Sequence, residues 1–496
     1  MKKYYILSFS LLLLYFNSVG QQWNWAKQLS YPGSATGISM DKDPSGNIYL
    51  ATGDGAAGSI LSGRDATGNV NWSKAISGNI TKLAVGSGHI AFCGSFSGTL
   101  TIDGTTITST NVDGFIAFCD MGGNLQWLRQ VTGPRNEWVN SVKLNGAEDV
   151  FVQVTCDSNS TCAGASFTRG MPVCVFNSAG TLTDSWQVAS AYDLYSQELA
   201  IDNVDNIFIK AVYFDSVLTV GGIAVVNNDT HYGSYFLARL SRGGSVYWAQ
   251  DRGSQFRRRF GNLAVSAAGE LYLTVQVIYE EEHLVKMSPA GTTMWNKVFG
   301  ANTYDGLRSL QFDTDQSLYV TGKTWGSASF GACTETGTDY FLVIARVDSA
   351  GNCTWSDMAQ GTTASSGITL SVKGSEGTFV GFSAYGDTIM LGTIPVDGYF
   401  IAGFEKGPAA LGVEAASKNR SLSIFPNPSA GVFSFSTPEA ATAIGIYDML
   451  GNCVHTQQLS GKIIETMDLS YLPKGIYVAR LAEKDGMYSS GRIVIR

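Results

Sequence analysis

A recurring tryptophan narrows the possible folds of this chain more than any other feature. Trp25, Trp72, Trp127, Trp186, Trp248, Trp295 and Trp355 follow one another at intervals of roughly fifty to sixty residues, a period that with short strands points to a propeller-type repeat. In five of the six later copies a glycine stands four residues ahead, as in Thr67-Gly68-Asn69-Val70-Asn71-Trp72 and Ala350-Gly351-Asn352-Cys353-Thr354-Trp355. Glycine supplies the positive φ that a hairpin turn requires, which puts each tryptophan on the strand leaving the turn.

Each unit parses as four strands. The sixth is clearest: Ser309 to Asp313, Leu318 to Thr324, Tyr340 to Asp348 and Cys353 to Met358. First strands are expected to begin near Ile38, Ile80, Val139, Glu198, Gly261, Leu307 and Gly367, which makes seven units. The last unit stops after Glu405 with no fourth strand, whereas Trp23 to Leu29 is a fourth strand belonging to no unit. Pairing the two removes an open sheet edge. The expectation is an all-β chain: a seven-bladed β-propeller over residues 21–407, closed by an N-terminal strand, and a small Ig-like β-sandwich behind it. Abundant Gly (57), Tyr (22) and Phe (25) suit short strands and tight turns.

Met1-Lys2-Lys3, the apolar run Ile6 to Phe16 and Ser18-Val19-Gly20 form a signal peptide over residues 1–20, with cleavage expected before Gln21. That run is too short to span a bilayer comfortably, so no membrane span is expected. The formal charge of -8, which loses Lys2 and Lys3 on cleavage, excludes phosphate neutralisation as a basis for binding and makes nucleic acid an unlikely partner. Of the eight cysteines none forms a Cys-x-x-Cys pair. Cys156 and Cys162 flank a short loop and are a disulfide candidate; Cys333 with Cys353, and Cys93 with Cys119, lie within single units and are open either to pairing or to a role as buried thiols.

Residues 408–420 turn small and polar, a linker, and residues 421–496 carry a different pattern. Phe425-Pro426-Asn427-Pro428 opens it, Tyr447-Asp448-Met449-Leu450-Gly451 follows, then Leu472-Pro473-Lys474-Gly475-Ile476-Tyr477 and a closing basic-apolar strand. This segment resembles the type A C-terminal sorting domain of the type IX secretion system of Bacteroidetes. The resemblance implies export through the periplasm to the outer surface or medium, with the type IX machinery as partner. The ring resembles Bacteroidetes seven-bladed propeller repeats through Asp43-Pro44-Ser45-Gly46-Asn47-Ile48-Tyr49-Leu50-Ala51-Thr52-Gly53. Its Gly-x-x-x-Trp endings look like quinoprotein-type repeats, which implies that the tryptophans dock neighbouring blades.

Candidate chemistry is sparse. Four scattered histidines show no zinc spacing, no nucleophile elbow is present, and neither metal nor cofactor is expected. Asp-rich segments such as Asp41 to Asn47 read as turns rather than calcium loops. The long second-to-third and inter-unit loops put the variable surface on one face. That face offers Glu137, Trp138, Tyr192, Asp193, Tyr195, Arg257, Arg258, Tyr304, Asp305 and Arg308 as a ligand-binding set. Aromatics mixed with carboxylates suit a glycan or protein ligand bound by a monomer without catalysis. The alternatives are a polysaccharide hydrolase or lyase using Glu137, Asp193 and Asp305, since propeller glycosidases gather carboxylates from separate blades, and a quinone-dependent dehydrogenase.

Overall fold

A computed structural model of the chain describes residues 23–496 except 30–37, 54–57, 228–232, 255–257, 278–281, 300–305, 331–332, 360–364, 384–387, 407–423, 437–440, 449–452, 460–463 and 484–487. The expected signal peptide and linker lie outside the described residues, as do Arg257, Tyr304, Asp305 and Gly451. Every regular element among the described residues is a β-strand, and the chain divides into two units, Met1–Gly407 and Pro408–Arg496.

The first unit is a succession of antiparallel sheets. Sheet one holds Ile38–Lys42, Ile48–Gly53, Ser59–Arg64 and Val70–Ile76; sheet two holds Asn79–Val85, His89–Ile102, Thr105–Asp120 and Leu125–Thr132. Sheet three holds Glu137–Leu144, Val150–Cys156, Gly170–Phe176 and Leu182–Ala189; sheet four holds Leu194–Ile201, Ile207–Tyr213, Ser234–Leu240 and Val246–Ser254. Sheet five holds Arg258–Val265, Leu271–Val277, Glu282–Met287 and Thr293–Val298; sheet six holds Gly306–Phe312, Leu318–Phe330, Cys333–Val347 and Cys353–Ala359. Sheet seven holds Ser365–Ser371, Glu376–Ser383 and Tyr399–Glu405, and its outer place is taken by Trp23–Gln28 from the other end of the chain. Trp25 lies opposite Gly403 and Lys27 opposite Ile401. The first strands of consecutive sheets touch in order, and Ser365–Ser371 returns to touch Ile38–Lys42.

The recurring tryptophans explain how the outer strands hold together. Trp72 Nε1 donates to Met121 O (3.1 Å), Trp127 to Ser178 O (3.0 Å), Trp248 to Pro289 O (2.9 Å) and Trp295 to Ser349 O (3.2 Å), each acceptor lying in the last turn of the next sheet. The glycine ahead of each tryptophan is the other half of this joint. Gly123 has φ +79, and a Cβ built there would sit 2.7 Å from the Trp72 ring. Gly68, with φ +81, stands in the same relation to Trp25, so the seventh-to-first junction uses the same device. A left-handed turn and a bare Cα facing the neighbour's indole are therefore one requirement, met by one residue.

The opposite turns, between first and second strands, carry a comparable joint. Gly46, Gly269 and Gly374 take positive φ there, but sheets three, four and six place Glu148, Asp205 and Gln316 at φ 62. Each of these three reaches the preceding sheet: Glu148 Oε1 accepts from the Gly88 amide (2.6 Å), Asp205 Oδ2 from Asn145 Nδ2 (2.9 Å) and Gln316 Oε1 from the Ala267 amide (2.9 Å). These inter-sheet bonds offset a strained backbone. In the turn between the third and fourth strands of sheet one the carboxylate is used internally, where Asp65 Oδ1 accepts from the Thr67 and Asn69 amides (both 2.9 Å).

The second unit is two sheets. Ile424–Phe425, Val432–Ser436 and Ile464–Asp468 form one; Cys453–Gln458, Ala441–Tyr447, Gly475–Glu483 and Tyr488–Ile495 form the other in that spatial order. Phe433, Phe435, Ile444, Ile446, Met467, Leu481 and Ile493 make its core. Asn427 of the Phe-Pro-Asn-Pro opening donates to Arg492 O, and its Oδ1 accepts from the Val494 amide (2.9 Å), so this motif is clipped to the closing strand. Tyr477 is buried and donates to Pro473 O (2.7 Å).

Candidate functional site

The seven first strands converge on a channel, and their side chains decide its chemistry. Six of them carry a β-bulge, at Ile80/Lys82, Val139/Ser141, Ser196/Glu198, Phe260/Leu263, Leu307/Ser309 and Gly367/Thr369. A bulge bends the strand and re-aims the residue within it, which brings Asn262 and Arg308 to the channel wall.

Beyond the bulge the strands obey a rule of polar satisfaction. First strands do not pair by backbone with one another, so the amides facing a neighbouring sheet need side-chain acceptors. Ser39 Oγ accepts from the Leu83 amide (3.0 Å), Ser141 from Leu199 (3.1 Å), Glu198 Oε2 from Leu263 (2.8 Å) and Ser309 from Leu370 (3.3 Å). Two residues further along, Asp41 Oδ2 accepts from the Val85 amide (3.0 Å) and Gln311 Oε1 from Val372 (2.7 Å). Asp41 also joins sheet seven through Lys373 Nζ (2.6 Å) and Ser371 (3.2 Å).

In the first kind of slot Ser39, Ser141, Glu198, Asn262, Ser309 and Thr369 each carry an oxygen able to accept, and Lys82 of sheet two, whose ammonium cannot accept a hydrogen bond, is the exception among the described residues. The second kind of slot is less regular: Lys143 stands there in sheet three, and Ala84, Ala200 and Ala264 stand there in sheets two, four and five. Lys82 and Lys143 are half-buried on the channel wall, and Arg308 lies exposed on the same wall. Among the described residues none of these three side chains has a hydrogen bond or ion pair. Burial holds the Lys143 ammonium below its ordinary range; Glu198 opposes that effect and Lys82 adds to it. The channel contains a cavity of about 120 Å³ bounded by Lys82, Lys143, Glu198, Asn262 and Arg308. It adjoins a second of about 310 Å³ toward Asp41 and Lys373.

The residues expected on the loop-bearing face separate into distinct places. Tyr192 (61% exposed) and Tyr195 (41% exposed) do present their rings outward. Tyr195 donates to Asp193 Oδ2 (3.1 Å) and meets Phe214 edge-on at 6.0 Å. Asp193 is ion-paired to Arg169, a residue outside the expected set. Trp138 is half-buried opposite Thr155, and Arg258 begins a strand of sheet five. Arg308 belongs to the channel.

Glu137 is a correction: it is 0% exposed and offers no surface to a ligand. It opens the first strand of sheet three opposite Cys156, and strand alternation turns it inward. Neither carboxylate oxygen makes a hydrogen bond of ordinary geometry. Burial, with Asp113 and Asp157 nearby, pushes its carboxyl up to about 8, and the Gly133 amide opposes this only in part. Next to Gly133 and Asn159 lies an open pocket of about 560 Å³, lined by Thr132, Ser160, Ser166 and Phe167 among others.

The Cys156–Cys162 disulfide is also corrected, since both are free buried thiols. The segment between them does not close on itself. Ser160–Cys162 and Ala165–Phe167 form a hairpin that joins the outer edge of sheet two, with Cys162 opposite Val131. Cys162 there faces Cys174, while Cys156 Sγ accepts from Ser160 (2.9 Å). Cys93 and Cys119 are free as well, because their ladder partners are Ile116 and Ile90 rather than each other. Cys333 and Cys353 are bonded.

Residues 423–496 match the family of secretion system C-terminal sorting domains. No curated protein matches the chain. Solved structures similar to it include BamB from Moraxella catarrhalis at 13% identity and TM-score 0.35, covering 78% of this chain and 97% of that one. A protein of unknown function from Bacteroides caccae is similar at 11% identity and TM-score 0.33, covering 66% and 94%. The calcium-binding protein regucalcin from Agrobacterium tumefaciens strain C58 is similar at 11% identity and TM-score 0.32, covering 59% and 88%. The C-terminal match implies type IX export and a secreted or cell-surface location.

Proposed function

We propose that residues 21–407 form a seven-bladed β-propeller that serves at the outer surface as a glycan- or protein-binding module, delivered through the periplasm by an Ig-like sorting domain over residues 421–496. Four-stranded sheets whose first strands touch in a cycle, and the N-terminal strand paired beside Tyr399–Glu405, support the propeller reading. The binding reading rests on one observation: the inter-sheet loop before Leu194–Ile201 and the start of that strand expose Tyr192 and Tyr195 beside an Arg169–Asp193 ion pair, flat apolar rings next to fixed polar groups. A hydrolase would need accessible carboxyls, and Glu137 is enclosed while Asp193 is held by Arg169.

Glycan and protein arrays probed with the purified mature chain test this. A ligand is expected whose signal falls at least fivefold in Y192A/Y195A; blank arrays, or a signal indifferent to that variant, sink the reading. A chain lacking residues 421–496 should keep the folded ring but stay in the periplasm, and its normal surface display would remove the sorting role.

A further inference from the structure

We infer that the channel mouth is a binding site for an oxyanion, the sulfate or carboxylate of an acidic glycan, held by Lys82, Lys143 and Arg308. The inference rests on the binding-module reading and deepens it.

Three observations carry it. The first is placement: at Lys82 a cation stands in the slot that in sheets one, three, four and six holds an acceptor for the neighbouring amide, and Lys143 on the adjacent sheet brings a second cation to the same wall. A lysine at position 82 does nothing for the junction, whereas serine would. The second is the absence of partners. Lys373 in the same channel is neutralised by Asp41, but the side chains of Lys82, Lys143 and Arg308 are unpaired among the described residues. The third is shape. The enclosing cavity of about 120 Å³ admits a single oxyanion group and excludes a folded peptide, and Asn262 adds an amide group for a neighbouring hydroxyl.

Charge agrees with this. Lys82, Lys143, Arg308 and Lys373 face Asp41 and Glu198, an excess of positive charge inside a chain of formal charge -8. Low-dielectric walls focus such a field on whatever enters the channel. The depressed Lys143 ammonium is restored by a bound anion, so binding takes up a proton and weakens as pH rises. The groups that set this dependence with Lys143 are Lys82, Glu198, Asp41 and Lys373.

Calorimetric titration of the mature chain with dextran sulfate, polygalacturonate, polyglutamate and free sulfate tests the site. The two glycan polymers are expected to bind, with affinity at least tenfold weaker in K82M and in K143M, unchanged in the surface control K27Q, and tighter in E198Q. If the methionine variants unfold, K82S and K143Q carry residue types found in equivalent slots of other sheets and read the same loss. Free sulfate binding that needs Lys82 and Lys143 while the polymers fail assigns the oxyanion to a small solute and overturns the glycan source. Binding of polyglutamate alone, equal loss in K27Q, or no binding by any probe overturns the site. Glycan binding that survives in K82M and K143M removes the channel site yet leaves the binding module standing.

Discussion

The outer and inner strands of the first unit's sheets solve one problem, holding neighbouring sheets together, by different chemistry. Outer strands insert an indole over a bare glycine, and at Trp72, Trp127, Trp248 and Trp295 add one hydrogen bond; inner strands offer a hydroxyl, carboxylate or amide oxygen to a neighbour's amide. The outer solution is near uniform because a large ring needs one shape of socket. The inner solution tolerates several residue types, alanine among them at Ala84, Ala200 and Ala264, and so admits Lys82 and Lys143 without the sheets separating. Regularity marks scaffold, and departure from it marks the place available for ligand chemistry.

Breaking the outer joint should cost most. Trp72→Ala removes a ring that packs on Gly123 and donates to Met121, and a loss of about 3–5 kcal/mol is expected by denaturant unfolding. Gly123→Val should be comparably harmful, since it combines positive φ with a side chain inside the indole. The seventh junction sharpens the point: deleting residues 21–30 bares the edge of Tyr399–Glu405, and a melting temperature unchanged by that deletion would contradict closure by Trp23–Gln28.

The inner joint should be cheaper. Ser309→Ala leaves the Leu370 amide without its acceptor, an expected loss of about 1–3 kcal/mol, and a variant as stable as the parent would show the rule to be ornamental. Lys82→Ser should go the other way, with unfolding free energy equal to or above the parent while anion affinity falls, separating stability from binding at one position.

A pH-dependent effect concerns the margin between sheets two and three. The folded Glu137 carboxyl titrates near 8 against an ordinary 4.5, so the folded state holds its proton more tightly. At low pH both states are protonated and the residue contributes nothing. Between the ordinary range and about 8 the unfolded chain ionises first and stability falls, then levels. Glu137→Gln should therefore flatten the decline of melting temperature between pH 5 and 9, and an unchanged slope would deny the enclosed carboxyl.

Strand content and the partner of Trp23–Gln28 are readable in the sequence, because tryptophan and glycine at a fixed offset report a socket and its occupant. The sorting motif was readable for a similar reason, being a local run whose Asn427 engages the backbone of its own unit. The Cys333–Cys353 bond lay within reach of unit spacing, but the Cys156–Cys162 bond failed. Nothing local shows that Ser160–Cys162 would leave its own sheet for the edge of the previous one. Glu137 failed through alternation, as a loop-end residue whose first strand position turns it inward.

Local pattern thus determined the strand content, the partner of Trp23–Gln28 and the sorting domain, since turn geometry and side-chain period act over a few residues and survive in linear order. The channel was decided by tertiary structure alone. Its lining comes from seven strands widely separated in sequence, and the bulges that aim Asn262 and Arg308 break the two-residue period on which strand reading depends. Lys82 and Lys143 look like ordinary solvent-facing lysines until the neighbouring first strands show which residue types the same slots hold elsewhere.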